Sequence, residues 1–166
     1  KTLFLTAYFK TIESCFGKKN PMIGLVTNNR LEKESSQEVL GLFLNTLPLF
    51  FDSSSIETWL KTAKTMNEQV LKIFNHRSYP LFKIQESVGV GNIIDWGFNY
   101  THFHVFNDLR ENSFIHITDE KAIAFTNFNM MMLNVCVDSV ESDQVVLHVD
   151  YNKDVFNISK FIERYQ

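Results

Sequence analysis

The chain has 166 residues, 45% of them hydrophobic, with a formal net charge of −3 and a pI near 5.9. That length and apolar fraction suit one globular unit with a core and exclude a disordered chain, and the mild acidity leaves no basic footprint for nucleic acid. Cys15 and Cys136, the two cysteines, lack the paired spacing of a disulfide framework or zinc site, which points to a reducing, cytoplasmic compartment; no signal-peptide pattern or membrane span is predicted.

Phe4, Ala7, Tyr8, Ile12 and Cys15 recur at helical spacing and predict a first helix over residues 2–16, with Gly17 as its stop. The chain thus opens inside a helix, as expected of a cut from a longer protein. Residues 22–26 predict a short buried strand that ends in the turn-prone Asn28-Asn29. Residues 37–43 predict a brief helix leading to Gly41. Residues 45–51 predict a strand, and Pro48 inside it demands an edge, a start or a bulge, because proline cannot donate to the ladder. Ser54 and Glu57 stand at capping-box spacing, and Ile56, Trp59, Leu60, Ala63, Met66, Val70 and Ile73 form the core-facing stripe of a helix over 55–75. Residues 75–80 end that helix, and Pro80 opens a short one through Ser87.

Val88-Gly89-Val90-Gly91 reads as a turn, since the Lys-Ser/Thr and helix of a phosphate loop do not follow. Over residues 93–103, Ile94, Trp96, Phe98 and Tyr100 alternate with Asp95, Gly97, Asn99 and Thr101, which predicts a strand with one apolar and one small, polar face. Residues 107–120 are polar and irregular. Residues 124–137 are apolar on both faces and predict a buried central strand, with Met130, Met131 and Met132 in the core. Val145, Leu147, Val149 and Tyr151 predict a last strand; Asn157 caps a closing helix with Ile158, Phe161, Ile162 and Tyr165 on one face. The alternation of strands and helices, without repeat or linker, reads as a single α/β unit over residues 1–166, a mixed sheet with helices.

The sixteen Phe residues supply bulk for a core or a large interface. His102 and His104 alternate onto one strand face, but two ligands without a third do not make a zinc site, so no metal is expected. Arg30 reads as structural, holding a buried carboxylate or carbonyls. Asn45 and Thr46 either bond substrate or a partner lobe, or satisfy local backbone groups at a strand entrance.

Several segments, in order, resemble the condensation-domain family of nonribosomal peptide synthetases, within the chloramphenicol-acetyltransferase-like fold. Asn29-Arg30 stands where that family has Gly-Arg, and Val39-Leu40-Gly41-Leu42-Phe43-Leu44-Asn45-Thr46-Leu47-Pro48-Leu49 matches its Gly, aromatic, Asn-Thr-Leu-Pro-Leu pattern. Asn75-His76-Arg77-Ser78-Tyr79-Pro80 is similar to a weakened His-Gln-Asp-x-Pro-Phe segment in which His76 and Pro80 hold. Phe98-Asn99-Tyr100-Thr101-His102-Phe103-His104, Thr126-Asn127-Phe128 and Tyr151-Asn152-Lys153-Asp154-Val155-Phe156 resemble later strands of the family. Phe50 departs from the family's arginine, and Arg77 and Ser78 from its Gln-Asp pair. The family's His-His-x-x-x-Asp-Gly motif, carried by the amino-terminal lobe, does not occur in this sequence.

The resemblance therefore implies the carboxyl-terminal lobe of a condensation domain, spanning 1–166, with the amino-terminal lobe absent. It implies amide formation between an aminoacyl or peptidyl thioester on one carrier protein and an amine on another, in a tunnel between lobes entered by phosphopantetheine arms. Positioning and proton transfer drive such a reaction. Gly97, Asn99 and Thr101 are expected to face the tunnel, with Asn45 and Thr46 as further channel candidates and Arg30, Pro48 and Pro80 as structural residues. No catalytic residue and no directly bound cofactor are expected. The implied partners are the amino-terminal lobe, peptidyl carrier proteins and an adjacent adenylation domain, and the lobe alone is expected to self-associate. An alternative is a non-catalytic docking module that binds carrier proteins or tailoring enzymes; Asn45-Thr46-Leu47-Pro48 disfavours an epimerising relative.

Overall fold

Leu5, Tyr8, Phe9 and Ile12 form the apolar stripe of α1 (Thr2–Phe16), and all four are fully buried. Gly17 ends the helix at φ 62, a left-handed conformation that glycine adopts without strain, and its N–H reaches Glu13 O at 3.0 Å. This is a computed structural model that describes residues 1–30, 33–54, 58–102, 130–137, 145–155 and 157–165.

The remaining elements are β1 (Ile23–Asn28), β2 (Leu44–Leu49), α2 (Trp59–Phe74), α3 (Leu81–Val88), β3 (Trp96–His102), β4 (Met131–Val137), β5 (Val145–Tyr151) and α4 (Ser159–Tyr165). The five strands form one mixed sheet in the order β2-β1-β3-β4-β5. β1 lies parallel to β3, β3 parallel to β4, and the outer strands β2 and β5 run antiparallel to their neighbours. Pro48 accordingly sits on an edge strand, where a missing N–H costs least.

One face of the sheet carries the core. Ile23 and Leu25 of β1, Leu49 of β2, Trp96 and Phe98 of β3, and Met131, Leu133 and Val135 of β4 meet α1, Met66 and Val70 of α2, and Phe161 of α4. Rings interlock there: Tyr8 lies 5.9 Å from both Phe98 and Phe161, Phe9 meets Phe51 edge-on at 5.1 Å, and Phe16 approaches Trp96 at 4.6 Å. Each such pair adds about 0.5–1.5 kcal/mol beyond area burial.

Four expectations change. The helix predicted over 37–43 is a single 3-10 turn, Ser36–Glu38, because Arg30 Nη1 donates to Ser36 O at 2.5 Å and Val39 O at 2.7 Å and so takes carbonyls that a helix would use. The cap of α2 is Thr58, whose hydroxyl accepts from Lys61 N at 3.3 Å, whereas Ser54 bonds to Asp52. The buried stripe of α2 is Thr62, Met66 and Val70, while Trp59 and Leu60 stand exposed; the Thr62 hydroxyl is satisfied by Thr58 O at 2.9 Å, so its burial is invisible to hydropathy. In α4, Phe161 is buried and Ile162 is exposed, since adjacent helical residues point about 100° apart. Asn157 does cap this helix, accepting from Ser159 N at 2.9 Å. The expectations for Ile56, Glu57, Phe103, His104, residues 107–120, Thr126-Asn127-Phe128, the first part of the 124–137 strand and Phe156 lie outside the described residues.

Candidate functional site

Alternation along β3 divides its residues between two environments. Trp96 and Phe98 are buried in the helix-bearing face, and Tyr100 packs beside them. Gly97, Asn99 and Thr101 therefore project from the opposite face. Gly24 pairs with both Pro48 and Gly97, which brings Pro48, and with it Thr46 two residues away, onto that same face. Across β4, Gly97 opposes Met132, Asn99 opposes Asn134, and Thr101 opposes Cys136. On β5, Asp150 opposes Met132 and His148 opposes Asn134.

The polar groups on this face bond to one another. Asn99 Nδ2 donates to Asn134 Oδ1 at 3.2 Å, Asn134 Nδ2 donates to Asp150 Oδ2 at 3.5 Å, and Thr101 Oγ1 donates to Cys136 Sγ at 3.2 Å. Gly24 and Gly97 lie side by side, both buried, between Pro48 and Met132. Asn134 and Asp150 escaped the sequence reading. Their signals were a carboxamide inside the apolar run Met131-Met132-Leu133-Asn134-Val135 and an acid in the last strand at the phase opposite Val149 and Tyr151.

Asn45 is not with Thr46, Gly97, Asn99 and Thr101. It shares a phase with Leu47 and Leu49 on the helix-bearing face, where its Nδ2 donates to Arg77 O at 2.7 Å and Tyr79 O at 2.8 Å. Ser78 Oγ donates to Asn29 Oδ1 at 2.7 Å, so the three segments around residues 29, 45 and 75–80 meet at one point. Arg30, besides holding two carbonyls, stacks on Phe43 at 4.1 Å. Pro80, at φ −66, occupies the position before the first residue of α3. This cluster is a backbone anchor.

Burial, aided by the neighbouring Tyr165, pushes the Tyr8 phenol well above its ordinary range, and its hydroxyl lies 3.5 Å from Met131 O, as suits a neutral core group. An open groove of about 370 Å³ between α1 and α2 is lined by Thr2, Leu3, Ala63, Lys64, Asn67 and Glu68, and none of these is a buried nucleophile or base. Among the described residues no three His, Cys, Asp or Glu side chains gather to hold a metal ion, and no helix is long and apolar enough to cross a membrane. His104 and the side chain of His102 lie outside the described residues.

The chain matches the condensation-domain family over residues 1–166. It is 25% identical over 169 residues to gramicidin S synthase 2 of Aneurinibacillus migulanus, covering 98% of this chain and 4% of that protein. Against surfactin synthase subunit 1 of Bacillus subtilis the identity is 20% over 158 residues, covering 95% and 4%. It thus spans a small fraction of these curated relatives. In fold it is similar to the condensation domain of the monacolin K polyketide synthase, with a TM-score of 0.80 at 20% identity over 99% of this chain and 39% of that one. It is also similar to a four-domain nonribosomal peptide synthetase bound to AMP and glycine, with a TM-score of 0.75 at 16% identity over 98% and 14%. With its mixed sheet and helices matching these structures, and the family's pattern running its whole length, the chain belongs to the condensation-domain family.

Proposed function

We propose that this chain is the carboxyl-terminal lobe of a condensation domain in a nonribosomal peptide synthetase, and that it forms one wall of the tunnel where two carrier-bound substrates meet. The observation that supports this most is the asymmetry of the sheet. Three helices and the rings of Tyr8, Phe9, Phe51, Trp96, Phe98 and Phe161 pack on one face, while the other carries half-buried Thr46, Asn99 and Thr101 beside buried Gly24 and Gly97. A glycine pair lets a thin pantetheine arm run close to backbone, and half-buried amide and hydroxyl groups offer it hydrogen bonds.

In the reaction the amine nitrogen attacks the thioester carbonyl, a C–N bond forms, the C–S bond breaks, and the amine proton leaves with the thiol of the arm. Holding the two reactants aligned supplies much of the acceleration. Because the sequence has no His-His-x-x-x-Asp-Gly motif, proton transfer is assigned to the amino-terminal lobe, and this chain contributes positioning. Its partners are then that lobe, peptidyl carrier proteins bearing phosphopantetheine and an adjacent adenylation domain, in the cytoplasm.

The test is Gly97→Leu in the complete domain. Turnover of two loaded carrier proteins is expected to fall by about a hundredfold, the scale on which misplacement of a reactant acts, while the melting temperature changes little. Unchanged turnover, or a variant that unfolds, would show that Gly97 does not border the tunnel.

A further inference from the structure

Buried hydroxyls in this structure serve local structure. Those of Thr6, Thr11 and Thr62 each donate to a carbonyl four residues earlier at 2.9 Å, Thr27 donates to Asn45 O at 3.2 Å, and Ser53 donates to Glu13 Oε1 at 2.9 Å. Asn134 differs. It is 8% exposed, and among the described residues its carboxamide bonds to side chains alone, Asn99 on one side and Asp150 on the other.

Asp150 gives this row a direction. A carboxylate only accepts hydrogen bonds, so Asn134 must turn its amide nitrogen to Asp150 and its oxygen to Asn99. Asn99 must then spend an N–H on Asn134, which leaves its own Oδ1 as the acceptor at the end of the row. Among the described residues nothing donates to that oxygen. The acceptor is half-buried and held in a fixed orientation by two further strands. A ligand group placed against it without an N–H or O–H to give would desolvate it unpaired, and sites of this kind reject such groups.

We infer that Asn99, oriented by Asn134 and Asp150, determines specificity by accepting a hydrogen bond from a carrier-bound aminoacyl group, favouring a carboxamide side chain over an aliphatic one of similar size. The inference rests on the tunnel wall proposed above. Asn99 is the reading group, and Asn134 and Asp150 are positioning residues.

Competition between glutaminyl- and leucyl-loaded carrier proteins in the complete domain, with each residue offered first as acceptor and then as donor, tests it. At one of the two sites the glutaminyl substrate is expected to win by about five- to tenfold in kcat/KM, the worth of one neutral hydrogen bond. Asn99→Leu and Asn134→Leu should each abolish that preference, read as the ratio of glutaminyl to leucyl kcat/KM, and Asp150→Asn, which frees Asn134 to flip, should weaken it. Should the leucine variants unfold, Asn99→Ala carries the same expectation. Equal rates at both sites, or a preference that survives loss of the Asn99 carboxamide, overturn the inference while leaving the Gly97→Leu result to judge the tunnel wall. Failure of the complete domain to turn over either substrate overturns both.

Discussion

The Asn45 carboxamide holds the carbonyls of Arg77 and Tyr79 at 2.7 and 2.8 Å, tying the α2–α3 connection to β2. Asn45→Ala removes this partner from a part-buried and an exposed carbonyl, and unfolding in urea should show a loss of about 1 kcal/mol, the net worth of such hydrogen bonds. Thr46, one residue on, faces the other way, so Thr46→Ala should change stability by less than about 0.5 kcal/mol. Equal losses in the two variants would contradict the register of β2. The adjacent positions therefore divide their work: Asn45 holds the fold, and Thr46 stands on the face proposed for substrate. The family-like pattern Asn45-Thr46-Leu47-Pro48 does not reveal that division, because a strand's alternation assigns a residue to one side or the other only after the pairing partner is known.

The start of α2 shows the same dependence at the level of an element. Ser54 and Glu57 have the spacing of a capping box, yet the helix begins at Trp59 with Thr58 as cap, and Ser54 is engaged with Asp52. Thr58→Ala should destabilise the chain by about 1 kcal/mol, as loss of a helix cap does, and Ser54→Ala should cost clearly less; thermal melts of the two variants decide between the caps. If Ser54→Ala proves the more damaging, the assigned start of α2 is wrong. Propensity was a better guide at the other end of the chain, where Asn157 caps α4, and at Gly17, whose left-handed conformation ends α1. Those signals act within one turn of helix, so no distant partner competes for them.

Over the whole molecule the apolar surface is unevenly covered. Leu40 is 97% and Leu42 87% exposed, and Val39, Leu44 and Phe50 stand exposed along the same stretch beside edge strand β2. Soluble monomers rarely expose contiguous apolar patches beyond a few hundred Å². The 166-residue chain by itself is therefore expected to self-associate, with a sedimentation coefficient that rises with concentration, and a separately produced amino-terminal lobe should compete with that association. A strictly monomeric chain indifferent to the lobe would remove the proposed interface. Pro48 limits one route to association, since it denies the β2 edge an N–H for pairing with another strand.

Much of the fold was legible in sequence because its signals are local. The period of Phe4, Ala7, Tyr8, Ile12 and Cys15 specifies α1, although Leu5 and Phe9 join Tyr8 and Ile12 as its fully buried residues; alternation specifies β3 and β5, the two-sided apolar run 124–137, described from Met130 onward, specifies a central strand, and Pro48 places β2 at an edge. The family pattern added the fold and the expectation that the small, polar face of Gly97, Asn99 and Thr101, itself read from alternation, looks toward a tunnel. What the sequence could not decide were relations between strands: that Gly24 lies against Gly97, that Asn45 turns away from Thr46, and that Asn134 stands between Asn99, directly opposite, and Asp150, diagonal to it on the next strand. These residues are separated by up to 126 positions in the chain, and only the pairing register, set by burial of Trp96, Phe98, Leu133 and Val135 against α1 and α4, brings them together. A lone carboxamide in an apolar strand is a defect until its neighbours are known; the tertiary structure gives it two partners and, through them, a direction.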